Sequence, residues 1–333
     1  MPLPADILGQ LVSPLVAFAV SFIVLRWMLA RASHLLPLDH PNDRSLHSQP
    51  IPRTGGIAIL AGITGASLVL WPAAWLWVAA AVLLAAFSFV DDWRGLSVGI
   101  RFATHFLLAG LTIVLVARDL PAWQQAVAAL AVVWVLNLYN FMDGSDGLAG
   151  GMAVIGFGGY GVAALIAGNS DFAALCISIA AAAAAFLLFK FNPARIFMGD
   201  TGSIPLGFLA ATLGFSGWQT RVWPWWFPVL VFSPFVMDAS VTLARRLLRR
   251  ERVWQAHRQH YYQRLVQLGW GHLKTALAEY VLMVACAASG LLARNAGMAA
   301  VTALLAFWAL AYIAIMIAID NRWANNPPNE AQP

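Results

Sequence analysis

An all-α bundle of about eleven helices threaded through a membrane is the fold this sequence predicts, and three observations predict it. Apolar residues make up 61% and charged residues 11% of the 333, with a mean hydropathy of +0.73, well outside ordinary soluble composition. The apolar residues come in runs matching the roughly 20 residues a helix needs to cross the hydrocarbon core. The basic residues are unevenly shared among the loops between those runs, as the orientation of membrane helices requires.

The runs fall near 11–30, 55–71, 73–90, 100–117, 122–138, 150–168, 172–190, 203–218, 224–243, 273–293 and 298–319. The first lacks a basic leader and a small-residue cleavage site, so it reads as a retained span. Numbering the loops alternately leaves only Arg118, Arg221 and Arg294, of 20 basic residues, on the side of the N-terminus. That asymmetry predicts a periplasmic N-terminus and a cytoplasmic C-terminus. Trp71, Trp75, Trp123, Trp218, Trp223, Trp225 and Trp226 fall at the expected outer ends, where indole rings favour the headgroup zone. One transmembrane domain is expected over residues 1–323, followed by a polar, disordered tail over 324–333. Cys176 and Cys286 lie inside apolar runs and read as packing residues, which excludes a disulfide framework or a zinc site. The net charge of +5 follows from topology, and nucleic acid is not an expected partner.

Under this topology the polar segments collect on the cytoplasmic face. They are "DHPNDRSLHSQPIPRTGG" (39–56), "FVDDWRGL" (89–96), "NLYNFMDGSDGLAGG" (137–151), "FNPARIFMGDTGS" (191–203) and "RRLLRRERVWQAHRQHYYQRL" (245–265). Asp91 and Asp92 are adjacent carboxylates at a helix end. Near low dielectric such a pair calls for a cation, unless it is simply solvated. Mg²⁺ takes one or two carboxylates and completes its shell with water and phosphate. Asn137, Asn140 and Asp143 recur every third residue, which on a helix spreads them over roughly 120° of one face. Gly144 and Gly147 should break that helix and leave Asp146 on a turn, an arrangement tolerated where backbone lines a cavity.

Asp200, between Gly199 and Gly202 and beside Thr201 and Ser203, reads as a ligand, and the span that follows could turn its positive dipole end toward an anion. Phe197 either anchors in lipid or stacks on a base. Arg245, Arg246, Arg249, Arg250 and Arg252 read as contacts to anionic headgroups. His257, Arg258, His260 and Arg264 gather donors suited to phosphate oxygens. His34, His40, His47, His105 and His272 stand alone and receive no role. Together these residues fit phosphoryl transfer between one soluble and one lipid substrate.

In order and spacing the five segments resemble the polyprenyl-phosphate N-acetylhexosamine-1-phosphate transferases over nearly the whole chain. The resemblance implies transfer of a sugar 1-phosphate, GlcNAc by default, from a UDP-sugar to undecaprenyl phosphate at the cytoplasmic face of the bacterial inner membrane. UMP is released and a glycan such as lipopolysaccharide O-antigen is begun. The resemblance also implies Mg²⁺, with Mn²⁺ as an alternative, at Asn140 and Asp200. It places Phe197 by the uracil, Asp143, Asp146 and Asn192 in the nucleotide-sugar site, and His257 with Arg258 near the diphosphate. Arg53 and His260 complete the expected substrate contacts, and Asp91 with Asp92 form the catalytic pair. A phosphate monoester has a second pKa of about 6 and is mostly dianionic at neutral pH, so Asp91 is expected to position the nucleophile or its metal and not to deprotonate it.

Trp93, Arg94, Gly95 and Leu96 stand where the muramoyl-pentapeptide branch carries a lysine, and the last loop has only two histidines. "AHRQHYYQ" resembles the O-antigen-initiating subgroup, which admits FucNAc or QuiNAc as the sugar. A homodimer is compatible with this reading. The non-enzyme alternative is an ion-coupled transporter, which predicts internal repeats and midplane charges; only Asp238 is a candidate for such a charge. A prenyltransferase would space its acids four apart, and an intramembrane aspartyl protease would hold them within spans; neither pattern is present.

Overall fold

Every apolar run becomes helical because a chain surrounded by hydrocarbon must satisfy its own backbone hydrogen bonds. The computed structural model describes residues 5–31, 37–39, 50–69, 74–252, 255 and 257–326. In chain order the elements are α1 (Ala5–Arg31), β1 (Leu38–Asp39), β2 (Ile51–Pro52), α2 (Gly55–Val69), α3 (Trp75–Arg94), α4 (Val98–Val116) and α5 (Ala122–Phe141). Then come α6 (Leu148–Ile166), α7 (Ser170–Lys190), α8 (Asp200–Gln219), α9 (Trp226–Val231), α10 (Ser233–Leu248), α11 (Tyr261–Leu265), a π-helical turn (Val266–Trp270), α12 (Gly271–Ala293) and α13 (Met298–Asn325). β1 and β2 pair antiparallel, Leu38 opposite Pro52 and Asp39 opposite Ile51. Among the described residues, eight helices are long and apolar enough to cross a membrane: α1, α3 to α7, the continuous α11–α12 unit, and α13. The protein is a polytopic membrane helical bundle.

The centre of the bundle is α7, packed against α1 and α6, with α8 packed against α3 and α5. Of the most apolar window of α7, 72% is buried, against 22% in α4, so α7 is interior and α4 faces lipid. Six consecutive alanines, Ala180 to Ala185, let the neighbouring backbones approach α7 closely, as small residues do in membrane bundles. Asn169 caps α7, accepting a hydrogen bond from the Phe172 amide at 3.1 Å.

Three expectations change. The run at 224–243 is two helices, broken at Phe232, because Pro234 sits in the first turn of α10 and brings no amide hydrogen to continue α9. Trp223 and Trp226 are 3% and 5% exposed and belong to the core: the Trp223 indole donates to the Gly214 carbonyl at 3.0 Å and stacks on Tyr160 at 4.7 Å. Trp75, Trp123, Trp218 and Trp225 are exposed, and Trp71 lies outside the described residues. Finally, α13 continues through Ala324 and Asn325; the tail after residue 326 lies outside the described residues, as do His34, His40 and His47. Cys176 and Cys286 are buried free thiols, as expected.

Candidate active site

The segment after β2 is stitched to the stretch before α8. The Phe197 amide donates to the Pro52 carbonyl at 2.7 Å, the Gly55 amide to Phe197 at 2.8 Å, and the Gly56 amide to Met198 at 2.9 Å. Gly56 and Gly202 touch backbone to backbone, so a Cβ on either would collide with the other helix. This stitching carries Arg53 to the end of α3. The Arg53 guanidinium donates through Nη2 to the Asp92 carbonyl at 2.9 Å and lies 3.6 Å from the Asp92 carboxylate. Thr201 Oγ1 meets the other Asp92 oxygen at 3.5 Å. Across the opening, Asn140 Nδ2 donates to Asp200 Oδ1 and to Ser203 Oγ, both at 2.8 Å. Asp92, Asp200, Asn140, Arg53 and Thr201 therefore form one wall at the ends of α3, α5 and α8.

Asp91 faces elsewhere, because neighbouring helical residues diverge by about 100°. Its carboxylate is 8% exposed, accepts the Leu96 amide at 2.7 Å and lies 3.6 Å from Arg101 Nε. It closes the turn between α3 and α4.

The turn from 142 to 147 forms a second wall. Since α5 ends at Phe141, Asp143 is past the helix and does not share a helical face with Asn137 and Asn140. Asn137 donates to its own helix, at Val133, 2.7 Å. Gly147, at φ 76°, turns the chain into α6, and Asp146 sits on the turn as expected. Three tyrosine hydroxyls grip carbonyls in this turn and on its two flanks: Tyr280 on Gly147 at 2.7 Å, Tyr262 on Phe141 at 3.0 Å and Tyr139 on Ala149 at 2.6 Å. His272 Nδ1 accepts from the Ser145 hydroxyl at 2.9 Å and the Asp146 amide at 3.3 Å. The Asp146 carboxylate accepts from Asn192 Nδ2 at 3.3 Å and the Ala194 amide at 3.1 Å, joining 137–151 to 191–203. Asp143 Oδ1 is buried with no hydrogen-bond partner. Burial pushes the Asp143 carboxyl up to about 7; Lys190 opposes the rise, while Asp200 and Asp146 add to it. Lys190, 2% exposed, holds its ammonium 3.8 Å from the centre of the Phe197 ring.

The third wall is the loop before α11. Asp238 accepts from His260 Nδ1 at 3.2 Å, from the Tyr261 and Tyr262 amides at 2.9 Å each, and from Thr242 at 3.3 Å. His260, 3% exposed, is thus tied into the bundle. The His257 ring lies tilted against it, ring centres 4.8 Å apart, and is the more exposed of the two. Burial, reinforced by His260 and Arg246, lowers the His257 pKa to about 4. The ring is neutral near pH 7, and since Nδ1 accepts the Gln259 amide at 3.3 Å, the proton is on Nε2. Arg258 is half-buried beside it.

Three arginines expected at lipid or phosphate are used inside the protein. Arg246 binds Glu251 at 2.8 Å and the Gln255 and Arg252 carbonyls at 3.1 Å. Arg245 and Arg264 share Asp320, at 2.6 and 2.8 Å. Arg249, Arg250 and Arg252 are exposed.

The contributions of His272, Tyr262, Tyr280 and Lys190 were not visible in the motifs. Lys190 did leave a signal: it is a charged residue closing the most apolar of the interior runs.

Residues 74–217 match the family described as Glycosyl transferase family 4. A Bacillus subtilis protein named as a probable undecaprenyl-phosphate N-acetylglucosaminyl 1-phosphate transferase is 27% identical over 299 residues, covering 82% of this chain and 83% of the relative. An undecaprenyl-phosphate alpha-N-acetylglucosaminyl 1-phosphate transferase from Yersinia pestis is 28% identical, covering 81% and 79%. A phospho-N-acetylmuramoyl-pentapeptide-transferase from Moorella thermoacetica is 30% identical, covering 72% and 83%. The family match takes in the acid pair of α3, the 142–147 turn and the start of α8, and with these relatives it shows that the chain belongs to the polyprenyl-phosphate N-acetylhexosamine-1-phosphate transferases, glycosyl transferase family 4.

Proposed function

We propose that this protein transfers an N-acetylhexosamine 1-phosphate, GlcNAc-1-phosphate by default, from a UDP-sugar to undecaprenyl phosphate. A phosphate oxygen of the lipid attacks the sugar-bearing phosphorus of the donor. The bridging P–O bond breaks toward the nucleotide, leaving UMP and a sugar on a lipid diphosphate. The product would initiate O-antigen or a related glycan. On this reading the chain crosses the inner membrane eleven times, with α9 and α10 making one crossing together, its N-terminus periplasmic and its site open to the cytoplasm.

The observation that carries the reading is the gathering of Asp92 and Asn140 about Asp200, with the buried, unpartnered oxygen of Asp143 within electrostatic reach of the same carboxylate. Among the described residues no three His, Cys, Asp or Glu side chains stand close enough to enclose a metal by themselves. Asp200 and Asp143 with the Asn140 amide are a donor set suited to Mg²⁺ or Mn²⁺ shared with a substrate diphosphate, because Mg²⁺ takes one or two carboxylates and keeps water and phosphate in its shell. Asp200 and Asp143 would hold the ion, with Asn140 orienting Asp200, and the ion would offset the diphosphate charge.

Arg53 and the Nε2 proton of His257 donate to phosphate oxygens, with Arg258 adding positive charge. Phe197 lies under the base, and Asp146 with Asn192 holds the neighbouring turn in place. Asp92 faces the reacting phosphates and positions the attacking lipid phosphate beside Arg53; Asp91 supports it by fixing the turn after α3. Asp238, the acid on which the transporter reading rested, anchors a loop.

The test gives purified protein undecaprenyl phosphate, a divalent cation and a panel of UDP-GlcNAc, UDP-FucNAc and UDP-QuiNAc, and measures UMP. Release with one donor supports the reading and names the sugar. No release with any donor overturns it.

A further inference from the structure

Resting on that reading, the donor pocket contains one cation for which the reaction scheme has no use. Lys190 ends α7 and is 2% exposed. An ammonium so deeply buried needs compensation from opposite charge or an aromatic face. The Phe197 ring supplies the face, with Nζ 3.8 Å from its centre. Asp143 and Asp146 supply the charge, both acting on Lys190 through space. Phe197 is itself held by backbone bonds, its amide to Pro52 and its carbonyl to Gly55, so its main chain is fixed where the ring meets the ammonium.

An anionic nucleotide approaching this turn meets Asp143, Asp146 and Asp200. Without a nearby positive charge their field would repel it, and Asp146, which takes no part in holding a divalent ion on that reading, is the carboxylate such an ion would leave uncovered. We propose that Lys190 is a positioning residue for the nucleotide half of the donor: it clamps Phe197 flat for base stacking and supplies a fixed positive charge that admits a uridine monophosphate moiety to an acid-lined pocket. The group recognised is a nucleoside phosphate, and the charge at position 190 acts on the donor without touching the lipid acceptor.

UMP binding is the direct probe, measured in detergent on the full chain with and without Mg²⁺. Lys190→Met should weaken UMP about tenfold in both conditions, the scale of a desolvated cation–π contact. It should raise KM for the UDP-sugar by a similar factor while kcat and KM for undecaprenyl phosphate stay within about twofold. Lys190→Arg, which keeps a cation able to lie over an aromatic face, should restore UMP affinity to within about threefold of wild type. Phe197→Leu should lose affinity in the native background and little more in Lys190→Met, the signature of a coupled pair.

Thermal midpoints on the same samples separate positioning from folding, and Lys190→Arg carries the test if Lys190→Met does not fold. Wild-type protein that binds UMP alongside Lys190→Met of equal affinity overturns this inference and leaves the functional reading standing. So does Lys190→Arg that is as weak as Lys190→Met. Wild-type protein that neither binds UMP nor releases it overturns both.

Discussion

The wall before α11 and the wall at the ends of α3, α5 and α8 use the same residue types, yet their hydrogen bonding differs. Asp238 accepts four donors and Arg246 serves three acceptors. On the other wall the Asp92 carboxylate has only contacts of 3.5 and 3.6 Å and Arg53 Nε is buried with none, as is Asp143 Oδ1 on the neighbouring turn. Buried polar groups are nearly always bonded, so the saturated groups of the first wall mark where the chain holds itself, and the charged groups left unsaturated about Asp92 and Asp143 keep bonding capacity for a ligand.

The largest test of this contrast is Asp200→Asn, expected to cut UMP release about 10²- to 10³-fold, the scale of removing one group that stabilises transition-state charge, with an unchanged thermal midpoint. Next is the adjacent pair. Asp92→Asn should lose at least about tenfold more activity than Asp91→Asn, because only Asp92 joins Arg53 and Thr201 while Asp91 serves the α3–α4 turn. Equal losses would break the comparison.

On the saturated side the effect moves from rate to stability. Asp238→Ala strands the Tyr261 and Tyr262 amides, at about 1–3 kcal/mol each, and should lower the thermal midpoint in detergent and raise KM for the donor. Tyr280→Phe removes one grip on the 142–147 turn and should cost about 1 kcal/mol; a larger loss of activity than of stability would move Tyr280 to the substrate side.

The smallest expected effect is in pH. The His257 pKa is lowered from 6.5 to about 4 by burial, His260 and Arg246. Between those values the unfolded chain binds the proton and the folded chain does not, so stability falls as pH drops through that window. Wild-type protein should lose more thermal stability between about pH 7 and about pH 5 than His257→Gln does.

Much of this contrast could not be read from the chain. Helix positions were legible because a bilayer imposes length and hydropathy directly: α3 to α7, α12 and α13 fall where the apolar runs do. The break at Phe232 was hidden because the run stays apolar on both sides of Pro234. Trp223 and Trp226 were misassigned because an indole at a helix end looks the same whether it meets headgroups or, as here, Tyr160 and Gly214. The candidate site residues were legible as types gathered at helix ends. Their division of labour was not, because it depends on which way each side chain turns. Asp91 and Asp92 differ only by the helical rotation between them, and the roles of His272, Tyr262, Tyr280 and Asp238 rest on partners more than 20 residues distant.

Gly56 and Gly202 set a constraint of a different kind. With main chain lying against main chain, neither position admits even one methyl group, and a replacement at one cannot be rescued by trimming the other, since nothing remains there to trim. In a library of single variants both sites should be intolerant of every alternative, alanine included. Sequence drift in this protein must go around that crossing and leave it unchanged.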